Sequence, residues 1–136
     1  QFLQAVCQAL GLENVTIIND RAENLGRAEG HREGYDRAVA RAVAALPVLA
    51  EYLLPFVRVG GMALCWKGPA VAGEQADGAA AAARLGGRLL PLVDMEGCGE
   101  ETGHVIAPME KIEKTLPLYP RKNGMPAKRP LKADKS

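Results

Sequence analysis

The stretch YDRAVARAVAALPVLAEYLLPFVRVGGMALCWKG, residues 35–68, holds two strand-length apolar runs on either side of a helical stripe. Tyr35 to Ala40 reads as a strand. Leu46, Leu49, Ala50, Leu53, Leu54 and Val57 recur at i, i+3, i+4, i+7, i+8, the apolar face of an amphipathic helix. Pro47 suits the first turn of that helix, and Pro55 should kink or end it. Gly60-Gly61 reads as a turn into Met62-Ala63-Leu64-Cys65-Trp66, uniformly apolar and therefore a strand covered on both faces. Strand, helix, strand in that order predicts a parallel pair within an α/β layout.

Outward from this unit the alternation continues. Phe2, Leu3, Val6 and Leu10 share a helical face, with Gly11 as the stop. Val15-Thr16-Ile17-Ile18 is β-branched and reads as a buried strand. Asn19 to Asp36 is polar and Gly-containing, a loop with one helical turn. Ala70 to Leu85 is helical by propensity and stopped by Gly86-Gly87. Leu89 to Val93 and His104 to Pro108 are two further strands, with Pro108 indicating a sheet edge. The acidic stretch Glu96 to Gly103 between them makes a terminal antiparallel hairpin. The expected fold is thus α/β, with a mostly parallel sheet and helices on both faces. Ligands in such sheets bind at the carboxyl ends of strands. Here these are Asn19 to Glu23, Arg41 to Ala45, Lys67-Gly68 and Asp94 to Glu96.

Composition narrows the class. With 136 residues, 48% hydrophobic and 24% charged, the chain has the make-up of one globular domain. Aromatics are only 4%, so Ala, Val, Leu and Ile must build the core. Cys7, Cys65 and Cys98 are odd in number and far apart, which favours reduced thiols in a cytoplasmic protein over disulfides or a zinc site. The net charge of +1 conceals a segregation: the segment from Tyr119 onward carries +5 and the remainder −4. The segment YPRKNGMPAKRPL, residues 119–131, contains Pro120, Pro126 and Pro130 and reads as irregular or extended. A basic arm on a mildly acidic body suits contact with a polyanion; a solubilising tail is the plainer alternative. The chain divides on this reading into residues 1–118 and a basic Pro-rich tail, 119–136.

Motifs for other chemistries are missing. There is no G-x-G-x-x-G and no G-x-x-x-x-G-K-[ST] loop. His31 and His104 stand far apart with no partner pattern. Cys98 among Glu96, Glu100 and Glu101 fits a solvated turn better than a metal site. Two places remain. Arg21-Ala22-Glu23 follows a strand directly, where a backbone amide and a carboxylate can meet an adenine edge; an acidic first turn of a helix is the plainer reading. Arg41 leaves its strand among Ala40, Ala42 and Val43, where a cation needs an anion or water.

NVTIINDRAENL, YDRAVARAVAALPVLAEYLLPFVRVGGMALCWKG and LYPRKNGMPAKRPL together resemble the glucose-inhibited division protein B family, ribosomal RNA small subunit methyltransferase G, over nearly the whole chain. The resemblance implies a class I, Rossmann-like methyltransferase that moves a methyl group from S-adenosylmethionine to N7 of one guanine in 16S ribosomal RNA. It implies Ala22, Glu23 and Arg41 as cofactor contacts, the first two near the adenine. No catalytic acid or base is expected, because guanine N7 already carries a lone pair on an exposed base edge. The basic residues Arg121, Lys122, Lys128 and Arg129 would face the RNA, a reading that rests on their charge. The small ribosomal subunit or its RNA, rather than DNA or a membrane, is the expected partner.

The family's Gly-rich loop and its ribose-holding acidic residue should lie upstream of Gln1. The chain is therefore expected to be the C-terminal part of a longer protein, with reduced or no activity alone. Absent strands would belong between the strands at Val15 and Tyr35. Glu23 and Arg41 are expected to face one adenosyl pocket. A non-catalytic RNA-binding module and an inactive remnant of a truncated gene are the alternatives.

Overall fold

A computed structural model describes residues 2–41, 44–95 and 103–133. The expected strand–helix–strand unit is present. β1 (Tyr35–Arg41) leads through α3 (Leu46–Leu53) to β2 (Val57–Lys67), and the two strands pair in parallel. Pro55 ends α3 in a short 3₁₀ turn, as its missing N–H requires. Before this unit lie α1 (Phe2–Ala9) and the single turn α2 (Ala22–Leu25). After it come α4 (Gln75–Arg84), β3 (Gly87–Leu89), β4 (Val93–Asp94), β5 (Val105–Lys111) and a last turn, α5 (Met125–Lys128).

The sheet is mixed, not mostly parallel. Its order is β1-β2-β5-β3 with β4 also on β5, and β1–β2 is the one parallel pair among the described strands. β3 and β4 both run antiparallel to β5, as β2 does. β4 and β5 form the expected antiparallel hairpin. Glu96 and the acidic stretch up to Thr102 fall outside the described residues.

Three local readings are corrected. Val15–Ile18 is not a strand: it pairs with nothing in the sheet, and Val15 and Ile18 are exposed. β-branching supplies propensity, but a strand also needs a neighbour to pair with. Pro108 is buried at the centre, not at an edge, because β5 pairs with β2 on one side and β3 and β4 on the other. The missing N–H is tolerated because Pro108 lies opposite the break between Leu89 and Val93. Gly60-Gly61 is no turn either; it is a bulge inside β2, where pairing jumps from Tyr35↔Val57 to Arg37↔Met62. Gly60 has φ +91°, and a Cβ on Gly61 would sit 2.5 Å from the Asp36 carbonyl oxygen, so both must be glycine.

Alternation along β2 separates two faces. Ala63, Cys65 and Lys67 are buried, while Met62, Leu64 and Trp66 are half-buried. α3 and α4 lie on the first face, where Leu46, Leu49, Ala50, Leu54, Ala81, Ala82 and Leu85 meet Ala63, Cys65, Ala107 and Met109. Tyr119 and Leu131 complete this core from the C-terminal segment. Burial among these side chains pushes the Cys65 thiol up to about 12, which leaves it inert. α1 buries none of its residues. Its apolar face is as expected from the sequence, but Phe2 remains 77% exposed.

Candidate functional site

α2 begins where the sequence places a cofactor contact. Arg21 is its extended N-cap, and Ala22 opens the helix with an N–H that has no acceptor within it. Glu23 is 3% exposed, and its carboxylate is already engaged. Oε2 accepts the Gly124 N–H at 2.8 Å and an Arg21 guanidinium N–H at 3.1 Å. Burial pushes this carboxyl up, but the hydrogen bonds outweigh it and hold it below the usual carboxylate range. The side chain thus ties α2 to the C-terminal segment.

That segment is a folded strap, not an extended arm. Tyr119, Pro120, Pro126 and Leu131 are buried, and Pro126 sits in the first turn of α5, where no N–H is needed. The fully buried Glu51 on α3 accepts the Arg121 N–H at 2.7 Å and its guanidinium at 2.8 Å. Arg32 donates to the carbonyls of Thr115, Leu116 and Tyr119 at 2.9, 3.0 and 2.7 Å. Arg27 donates to those of Pro117 and Leu118. Lys111, wholly buried, donates to the Leu54 and Val57 carbonyls and pairs with Glu33 at 3.1 Å. Glu33 also accepts the Thr115 N–H. Glu23, Arg27, Arg32, Glu33 and Glu51 thus hold residues 115–124 directly, and Lys111 holds Glu33.

At the sheet's other end, Arg41 finishes β1 with its guanidinium 5.2 Å from the centre of the Trp66 ring. His104 meets the same ring edge-on at 6.0 Å. Val39, Leu64, Trp66 and Ile106 form with Arg41 an apolar cavity of about 270 Å³ on the sheet face away from α3 and α4. The carboxyl ends of β1 and β2 are fastened by Lys67, at one of the strand ends marked out in the sequence, though with no role given to its side chain there. Its ammonium donates to the Ala44 carbonyl at 2.8 Å and meets Glu74 at 2.8 Å, and Glu74 in turn caps the Leu46 N–H. A lysine ending an apolar strand was the signal for it.

Of the cavities described, Arg41 lines the one beside Trp66, and Glu23 lines another of about 350 Å³ with Asn24, Arg27, Lys122 and Asn123. The four tail cations also part company. Arg121 is bound to Glu51, whereas Lys122, Lys128 and Arg129 are exposed and their side chains have no anionic partner among the described residues.

The described chain is thus a mixed α/β protein with one parallel strand–helix–strand unit and charged groups at the carboxyl ends of β1 and β2. The sequence profile of the GidB family, rRNA small subunit methyltransferase G, matches residues 1–101, and the chain belongs to that family. It is similar to the ribosomal RNA small subunit methyltransferase G of Alkaliphilus metalliredigens, 46% identical over 132 residues, covering 97% of this chain and 55% of that protein. The protein of the same name from Rubrobacter xylanophilus is 46% identical over 134 residues, covering 96% and 51%. That from Deinococcus deserti is 43% identical over 131 residues, covering 96% and 54%. The chain spans about half the length of these curated relatives.

Proposed function

We propose that this chain contributes one half of a class I, Rossmann-like methyltransferase that methylates guanine N7 in 16S ribosomal RNA of the small subunit. The observation that carries the reading is the family match over residues 1–101. The position of Arg41 at the carboxyl end of a parallel strand supports it. S-adenosylmethionine would supply an electrophilic methyl on sulfonium. On this reading the turn at Ala22 and Glu23 meets the adenine through main-chain N–H groups, since the Glu23 carboxylate is engaged by Gly124 and Arg21. Arg41 gives the same ligand a cation beside an aromatic wall.

On this reading Arg41 and the main chain at Ala22 and Glu23 contribute parts of an adenosyl site. What they do is position: strand ends held by Lys67, and a turn held by the strap. Guanine N7 needs no proton removed, so alignment and exclusion of water suffice and no acid–base pair is required. Lys122, Lys128 and Arg129 would neutralise RNA phosphates, and Arg121 would hold the strap that carries them.

Isothermal titration of S-adenosylmethionine tests this. The 136-residue chain alone should bind weakly or not at all. The protein expressed from its whole gene should bind, and Arg41→Ala should weaken that binding at least tenfold. Micromolar affinity in the isolated chain would overturn the divided-site reading, and no binding by the whole-gene protein would overturn the function.

A further inference from the structure

The cavity between α2 and the strap has a composition that neither the sheet chemistry nor the core explains. Two cations line it from different elements: Arg27, just past α2, and Lys122, on the strap. Two side-chain amides, Asn24 and Asn123, stand beside them. Its acids are already engaged. Glu23 accepts from Gly124 and Arg21, and Asp20, next to the turn, accepts from the Arg21 N–H at 2.7 Å and from the Asn24 amide at 3.0 Å.

The walls are fixed rather than loose. Arg27 is oriented by its bonds to the Pro117 and Leu118 carbonyls, 3.3 and 2.9 Å. Lys122 and Asn123 immediately precede Gly124, whose N–H is bonded to Glu23. The volume of about 350 Å³ exceeds what a bare anion needs. It falls at the lower end of ligand sites, about 300–1,000 Å³. Donor-rich, net positive and of this size, the cavity suits a phosphate that carries a sugar.

We propose that this cavity is a backbone-phosphate subsite for RNA, built jointly by Arg27, Asn24, Lys122 and Asn123. The inference rests on the RNA-methyltransferase reading and deepens it. The basic segment does not sweep the RNA as an arm; it closes one wall of a defined subsite, one turn from the main-chain groups assigned to the adenine. Contacts to phosphate fix register without reading sequence, so the subsite positions the RNA rather than selecting it.

The test is filter binding of a 16S RNA fragment to the whole-gene protein at several salt concentrations. Lys122→Ala should weaken binding several-fold and lower the slope of log K against log salt by about one. Lys122→Arg should restore both. Lys132→Ala removes an exposed charge outside the cavity and should leave the slope unchanged. The inference is overturned by an unaltered slope in Lys122→Ala, by an equal loss in Lys132→Ala, or by wild-type protein that binds no RNA. Methyl incorporation by the same wild-type protein is scored separately: RNA bound with the expected slope but never methylated would sink the function and leave the subsite standing.

Discussion

Glu51 and Arg121 show what a single residue decides here. Glu51 occupies the middle of an amphipathic helix at a position with 0% exposure, where an unpaired carboxylate would be untenable. Arg121 meets both of its oxygens and also donates to the Arg129 carbonyl, so one guanidinium ties α3 to both ends of α5's approach. Arg121→Ala should therefore cost about 3 kcal/mol in urea unfolding, because it strands a buried charge. Glu51→Gln keeps the shape but turns one of two acceptor oxygens into an NH2 that faces an Arg121 donor, so it too should destabilise, by about 1–3 kcal/mol. Equal and small losses in both variants would show that the pair does not hold the strap. Nothing in the sequence marks this pairing. Arg121 reads there as one of four equivalent basic residues, and only its partner seventy positions away separates it from Lys122.

Among the elements, the legible ones were those whose signal is local. Periodicity gave α3, the β-rich runs gave β1 and the centre of β2, and Gly86 ended the helix before it at φ +85°. Val15–Ile18, Pro108 and Gly60-Gly61 misled because their states depend on which strands lie alongside. Gly78 is a further case. Within an alanine-rich run it looks like a weak point in α4, yet a Cβ there would come within 2.5 Å of Leu46 Cδ2 on α3. Leu46 has 0% exposure and no room to yield. Gly78→Ala should gain about 1 kcal/mol of helix propensity and lose more to overpacking, about 1–3 kcal/mol. A net fall in thermal midpoint is expected, relieved in part when Leu46→Val is added. A rise in the midpoint of the single variant would mean that the helices do not approach so closely.

For the whole molecule, composition showed that charge is segregated but not what the segregation does. The +5 segment reads as an arm because prolines and lysines resist regular structure. The structure folds it down through carbonyls held by Arg27 and Arg32, and such bonds leave no trace in a sequence pattern. Likewise Arg41 was legible as a strand-end residue, whereas Ala22 and Glu23, read as following a strand, open a helical turn after a segment that pairs with nothing in the sheet. The most direct measurement of the central claim is transfer of labelled methyl from S-adenosylmethionine to small-subunit RNA by the whole-gene protein, with the labelled position mapped. The account predicts label on N7 of a single guanine, lost in Arg41→Ala; an unlabelled RNA, or label on a different atom, would contradict it.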